Sequence, residues 1–179
     1  MTWRLRQASF RLPAADPLAR FKTANKLVQV LARREAEEGG GDEALLLNER
    51  EHVVETTAGN LFWWDKDVLI TPPLRDGALP GVTRRAVLEL AARRGCLCRE
   101  ESAPSANLFR SEGVFLTLTS LGVVEAVELD GRSLPRSQRT QQLHQAYQAM
   151  VLEECTRKES ESTPAETQSP FPDKTTGAP

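Results

Sequence analysis

Hydrophobic and polar positions alternate at two different periods along this chain, and the changes of period mark its elements. From Trp3 to Phe10 the alternation has the period of a strand, which reads as a short edge strand followed by a linker carrying Pro13 and Pro17. From Thr23 to about Glu38 the period becomes helical: Leu27, Val28 and Leu31 share one face, and Arg33, Arg34, Glu37 and Glu38 the other. Gly39, Gly40 and Gly41 stop that helix. Four short strands are predicted next, Ala44 to Leu47, His52 to Val54, Leu61 to Trp64 and Val68 to Thr71. The polar connections at 48–51 and 65–67 suit hairpins, and Pro72 and Pro73 end the group because proline cannot donate to a ladder. A second helix is predicted from about Arg84 to Arg94, opened by Pro80-Gly81-Val82-Thr83 with Thr83 as N-cap and closed by Gly95. Two more strands, Val114 to Thr117 and Val123 to Leu129, precede a last helix from Ser137 to about Cys155, whose core face carries Leu143, Tyr147, Met150 and Val151. Helices and strands interleave without the regular alternation of a doubly wound sheet, which predicts an α+β domain. From Arg157 onward the chain is rich in Pro, Ser and Thr with Phe171 as its one large apolar residue, the composition of a disordered tail.

Composition narrows the function classes. With 179 residues, 40% of them hydrophobic, the chain suffices for one domain with a real core. A net charge of -2 leaves no Lys/Arg excess to neutralise phosphates, which argues against nucleic acid and for small-molecule partners. The odd set Cys96, Cys98 and Cys155 has no disulfide-framework spacing and suits a reducing compartment. Cys96 and Cys98 form half of a metal-site pattern, but with only His52 and His144 to complete it no metal is assigned. Neither a signal peptide nor an apolar run of about 20 residues is present, so a soluble, cytoplasmic protein is expected.

Four features carry candidate chemistry. Glu55 ends one apolar strand and Asn60 begins the next, joined by Thr56-Thr57-Ala58-Gly59. Either Glu55 is a solvated strand-end carboxylate, or it is buried and needs a cationic or protonated partner. Lys22 precedes the first helix, where the positive end of the backbone dipole disfavours a cation. It is either solvated or a lysine of lowered pKa suited to Schiff-base chemistry. Gly81-Val82-Thr83-Arg84 is an ordinary helix start or an anion site in which the Val82 and Thr83 amides and the Thr83 hydroxyl hold a phosphate. The stretch from Leu116 to Gly122 is a Thr-rich strand, or a strand-end loop whose Thr119 hydroxyl and following amides meet the same phosphate or a substrate carboxylate.

Taken in order, Lys22-Thr23-x-Asn25, Glu55-x-x-x-x-Asn60-x-Phe62, Thr71-Pro72, Leu79-Pro80-Gly81-Val82-Thr83-Arg84 and Phe115-Leu116-Thr117-x-Thr119 resemble the class IV pyridoxal-phosphate aminotransferases. That family includes branched-chain and D-amino-acid aminotransferases and aminodeoxychorismate lyase. The resemblance implies that Lys22 links covalently to pyridoxal 5'-phosphate and moves the substrate α-proton. It pairs Glu55 with the protonated pyridine nitrogen, and gives the phosphate to Val82, Thr83 and Thr119. Ser120 falls where a backbone amide meets a substrate carboxylate.

The same resemblance implies the fold-type IV large domain, a barrel-like core of mixed sheets with surrounding helices. Residues 1–20 become the last strand and linker of an N-terminal small domain that is otherwise missing, 21–156 the cofactor-binding large domain, and 157–179 the tail. It also implies a homodimer with its active sites near the interface. Without its partner strands the edge at residues 1–10 would favour aggregation. Within the family, Asn60-Leu61-Phe62-Trp63-Trp64 and Leu31-Ala32-Arg33-Arg34-Glu35-Ala36 look most like the lyases. This implies conversion of 4-amino-4-deoxychorismate to 4-aminobenzoate and pyruvate for folate synthesis. The alternatives are an amino-acid transaminase and an inactive truncated domain or gene-model fragment. Val124-Glu125-Ala126, where Pro-Val is common in the family, leaves substrate specificity open.

Overall fold

Among the described residues nine strands form one mixed sheet, and its order explains how residues far apart in sequence meet. The structure, a computed structural model, describes residues 1–161, with side chains to Arg157. The strands are β1 (Thr2–Leu12), β2 (Glu43–Asn48), β3 (Val53–Thr56), β4 (Asn60–Asp65), β5 (Val68–Thr71), β6 (Leu97–Glu100), β7 (Val114–Leu118), β8 (Gly122–Leu129) and β9 (Arg132–Ser133). They run β3-β2-β1-β8-β7-β4-β5-β6 across the sheet, with β9 paired to β8. Among the described residues three α-helices accompany them: α1 (Leu27–Glu38), α2 (Val82–Arg93) and α3 (Gln138–Glu161). A first compact unit runs Met1–Gln148 and contains the whole sheet; the second, from Ala149, holds the C-terminal turns of α3.

The expected edge strand at residues 1–10 is instead interior. β1 pairs in parallel with β2 on one side and β8 on the other. A strand's period of two is the same at an edge and in the middle, and both partners arrive from a distance, β2 after the α1 crossover and β8 from the far end of the domain. The aggregation-prone edge expected there is therefore absent. The short β6 and β9 escaped the sequence reading because they are largely exposed and lack apolar alternation.

One core cluster, including Leu5, Leu45, Val53, Leu61, Trp63, Leu116 and Leu129, joins strands from both halves of the sheet, so the sheet curls into a half-barrel around it. A second cluster, with Phe62, Trp64, Phe115, Val87, Val123 and Leu143, fills the space beneath α2 and α3. Phe62 and Phe115 are directly opposed in the β4–β7 pair and stack with centroids 5.1 Å apart. Each such fully buried ring stabilises the fold by about 1.5–3 kcal/mol. The Trp64 indole N–H donates to the Thr140 hydroxyl at 3.1 Å and fastens α3 to the sheet.

Two expected helix faces are corrected. α1 begins at Leu27 rather than Thr23, and its inward residues are Ala32 and Ala36 against Ala8, Ala44 and Leu46. Leu27, Val28 and Leu31 are 64%, 42% and 52% exposed. Small side chains let the helix axis approach the sheet closely, and periodicity alone does not say which apolar stripe faces inward. On α3, Leu143 is buried with Tyr147 packed against it, whereas Val151 is exposed. α3 continues past Arg157, and the rest of the expected tail lies outside the described residues.

Candidate active site

A cavity of about 250 Å³ opens where four chain segments meet: the loop before α1, the β3–β4 connection, the start of α2 and the end of β7. Lys22, Glu55, Val82, Thr83 and Thr119 all line it. Ser120 is exposed in the turn that follows β7, outside the lining. Lys26, Gln29 and Thr117, which no sequence motif marks as ligand contacts, also line the cavity.

Glu55 is half-buried at the end of β3, and its Oε2 accepts hydrogen bonds from the Leu79 amide at 2.9 Å and Asn60 Nδ2 at 3.1 Å. Burial pushes its carboxyl up to about 7, against the Leu79 hydrogen bond and the charges of Lys26, Arg84 and Lys22, which favour ionisation. Asn60 is the bracket that sets this geometry: the same Nδ2 donates to the Leu79 carbonyl at 2.8 Å, tying β4 to the segment before α2. Two glycines are required by close approach. A Cβ on Gly81 would lie 2.1 Å from Asn60 Oδ1, and one on Gly59 would lie 2.6 Å from the Thr117 carbonyl oxygen.

The connection from Glu55 to Asn60 is held from behind by Glu43, a fully buried carboxylate on β2. Its Oε1 accepts from the Thr57 amide at 3.2 Å and from the Thr57 hydroxyl, and its Oε2 from Arg33 Nη1 at 2.8 Å. Sequence spacing gives no hint of this triad, because Arg33, Glu43 and Thr57 come from a helix, a strand and a turn.

α2 starts with Gly81 as N-cap, not Thr83, and Gly81 offers no side chain to cap the first-turn amides. Those N–H groups have no intrahelical acceptor and sit at the positive end of the helix dipole, a ready site for an anion. Arg84 locks this helix start in place, donating to the Pro72 carbonyl at 3.1 Å and pairing with Glu100 at 3.0 Å. On β7, the Thr117 hydroxyl is buried with no hydrogen-bond partner.

Lys22 lies in the loop before α1, four residues ahead of its N-cap Lys26. Neither lysine side chain makes a hydrogen bond or ion pair among the described residues. The cavity thus offers two unpaired amines, a carboxyl disfavoured as an anion until a cationic partner arrives, an anion-binding helix start and an unsatisfied hydroxyl. This donor set fits a phosphorylated aromatic aldehyde with a basic ring nitrogen.

Residues 3–129 match the class IV amino-transferase family, and the chain belongs to it. A candidate branched-chain-amino-acid aminotransferase from Methanocaldococcus jannaschii is 37% identical over 128 residues, 72% of this chain and 44% of that protein. The branched-chain aminotransferase from Thermoproteus uzoniensis, solved with norvaline, matches with a TM-score of 0.81 and 32% identity over 85% of this chain and 52% of its own. A candidate 4-amino-4-deoxychorismate lyase from Legionella pneumophila matches with a TM-score of 0.78 and 29% identity over 86% of this chain and 56% of its own. The solved relatives also include a branched-chain amino acid aminotransferase holding pyridoxamine 5'-phosphate. The chain spans about half the length of the relatives it matches. Among the described residues no helix is long and apolar enough to cross a membrane.

Proposed function

We propose that this chain is the pyridoxal-phosphate-binding part of a class IV amino-acid aminotransferase, acting on branched-chain or similar amino donors. The observation that carries the proposal is the gathering of Lys22, Glu55, Val82, Thr83 and Thr119 around one cavity. The lyase reading takes second place, because branched-chain aminotransferases recur among the relatives, with a candidate lyase beside them among the structural neighbours.

When bound, pyridoxal phosphate supplies an electron sink that stabilises negative charge at a substrate α-carbon. Lys22 Nζ, unpaired and at the cavity wall, is the covalent anchor and, once free, the base that takes and returns the α-proton. Glu55, ionised by a cationic nitrogen placed against it, holds that nitrogen protonated. The first-turn amides of Val82 and Thr83, with the Thr83 and Thr119 hydroxyls, hold the phosphate. Thr117 orients the ligand through the hydroxyl that now lacks a partner. Arg84, Asn60 and Glu43 position these groups from behind. A cytoplasmic location belongs to the same reading, and so does a homodimer, which the exposed apolar side chains of Phe21, Leu27, Val30 and Leu31 near the lysine loop support.

The test is a substrate panel. Protein loaded with pyridoxal phosphate is offered leucine, isoleucine or valine with 2-oxoglutarate, and separately 4-amino-4-deoxychorismate. Formation of the branched-chain 2-oxo acids is expected. Release of pyruvate and 4-aminobenzoate instead would restore the lyase reading, and tight cofactor binding with neither reaction would favour an inactive remnant.

A further inference from the structure

A second cavity of about 250 Å³ lies between β8 and the first turns of α3, and it shares no lining residue with the candidate active site. Glu125, Val123, Arg136, Thr140 and His144 line it, with Met1 and Thr2 alongside. Glu125 is only 7% exposed. Its Oε2 accepts both Arg136 bonds, from Nε at 2.9 Å and Nη2 at 2.7 Å. Its Oε1 is buried with no partner, and so is Nδ1 of His144; neither atom bonds the other. Buried polar atoms left unpaired are costly and rare in folded proteins. The aminotransferase chemistry gives none of these residues a task.

The chemistry of the two orphaned atoms selects the ligand class. A carboxylate oxygen only accepts hydrogen bonds, and His144 Nδ1 accepts when the ring proton sits on Nε2. An anion is excluded by the carboxylate. A divalent metal is disfavoured because no third His, Cys, Asp or Glu side chain joins these two among the described residues. An ammonium group, with three diverging N–H donors and no acceptor, matches the chemistry of both atoms. Beside them Val123, nearly fully buried, offers an apolar wall for a short carbon chain. We propose that this cavity binds a small organic ammonium compound, held by Glu125 Oε1 and His144 Nδ1.

The chain has two histidines, so the imidazole nitrogens of His144 and His52 are separately observable by NMR, and His52 serves as an internal control. The probe is n-butylammonium chloride, with sodium chloride and sodium butyrate at matched ionic strength as controls. A saturable shift of the His144 Nδ1 resonance is expected with butylammonium only, while His52 stays still. Glu125→Gln, which removes the charge but keeps the shape, is expected to weaken binding about tenfold, the difference between a charge-assisted and a neutral hydrogen bond. If that variant does not fold, Arg136→Gln decides: freeing Glu125 of its cation is expected to tighten binding. An unmoved His144 resonance at high butylammonium overturns the proposal and leaves water as the occupant. So does unchanged affinity in Glu125→Gln, or unchanged or weaker affinity in Arg136→Gln.

Discussion

Replacing Lys22 by alanine is expected to lower amino-donor turnover by about 10²–10⁴-fold, the range spanned by loss of a positioned proton-transfer group. The substitution should do this without unfolding the protein. Lys22 is exposed, lies in a loop and makes no hydrogen bond or ion pair among the described residues, and changes at such positions shift stability by about 0.5 kcal/mol or less. Steady-state rates read beside urea unfolding curves separate the two effects. Lys26 makes the comparison sharp, because it is a second amine in the same cavity. Its removal leaves the proposed anchor in place and is expected to act mainly through Glu55, whose ionisation it favours. A Lys22→Ala protein that retains the parent rate, or a Lys26→Ala protein that loses it to the same extent, would reassign the anchor.

Stability of the cofactor-free protein is expected to fall as pH rises from about 4.5 to about 7. Glu55 titrates near 7 in the folded state against an ordinary 4.5, with burial as the chief cause. A folded-state value above the unfolded one means that the folded protein holds its proton more tightly. The corresponding stabilisation is fully present below 4.5 and is lost as pH passes through 7. A gap of this size is worth about 3 kcal/mol. Asp42, which the Arg4 guanidinium holds down at about 2, acts in the opposite sense and at lower pH. The difference between parent and Glu55→Gln profiles in urea therefore isolates Glu55. Pyridoxal phosphate should reverse the trend above pH 7, because a cationic nitrogen against Glu55 makes the ionised carboxylate the favoured form. Parallel profiles for the two proteins would place Glu55 in solvent and remove the physical reason for pairing it with a ring nitrogen.

Much of the candidate site was legible because its parts sit on short local motifs, which together carry the class IV resemblance. Gly81-Val82-Thr83-Arg84 announces a helix start, Glu55 and Asn60 bracket a turn between apolar strands, and Lys22 follows a proline-marked linker; none of these depends on knowing the topology. What the residues could not reveal was tertiary. Trp3 to Phe10 looks identical as an edge or a central strand, and only the parallel pairings with β2 and β8 decide. Leu27, Val28 and Leu31 form the more apolar stripe of α1, yet the sheet takes Ala32 and Ala36, because close packing and not hydropathy chose the inward face. Lys26 was hidden by its membership of a helix expected from Thr23, which in fact begins at Leu27 and leaves Lys26 as its N-cap. Thr117 reads as one more strand threonine until its hydroxyl is seen buried without a partner. Glu43 resembles a solvated acid beside Asp42, and its full burial depends on Arg33 and Thr57 arriving from other elements.

Borohydride reduction of the protein with pyridoxal phosphate, followed by digestion and mass mapping, locates the covalent anchor. A phosphopyridoxyl group is expected on Lys22, at about one per chain. A label found on Lys26, or scattered over the other lysines with Lys22 unmodified, would contradict it.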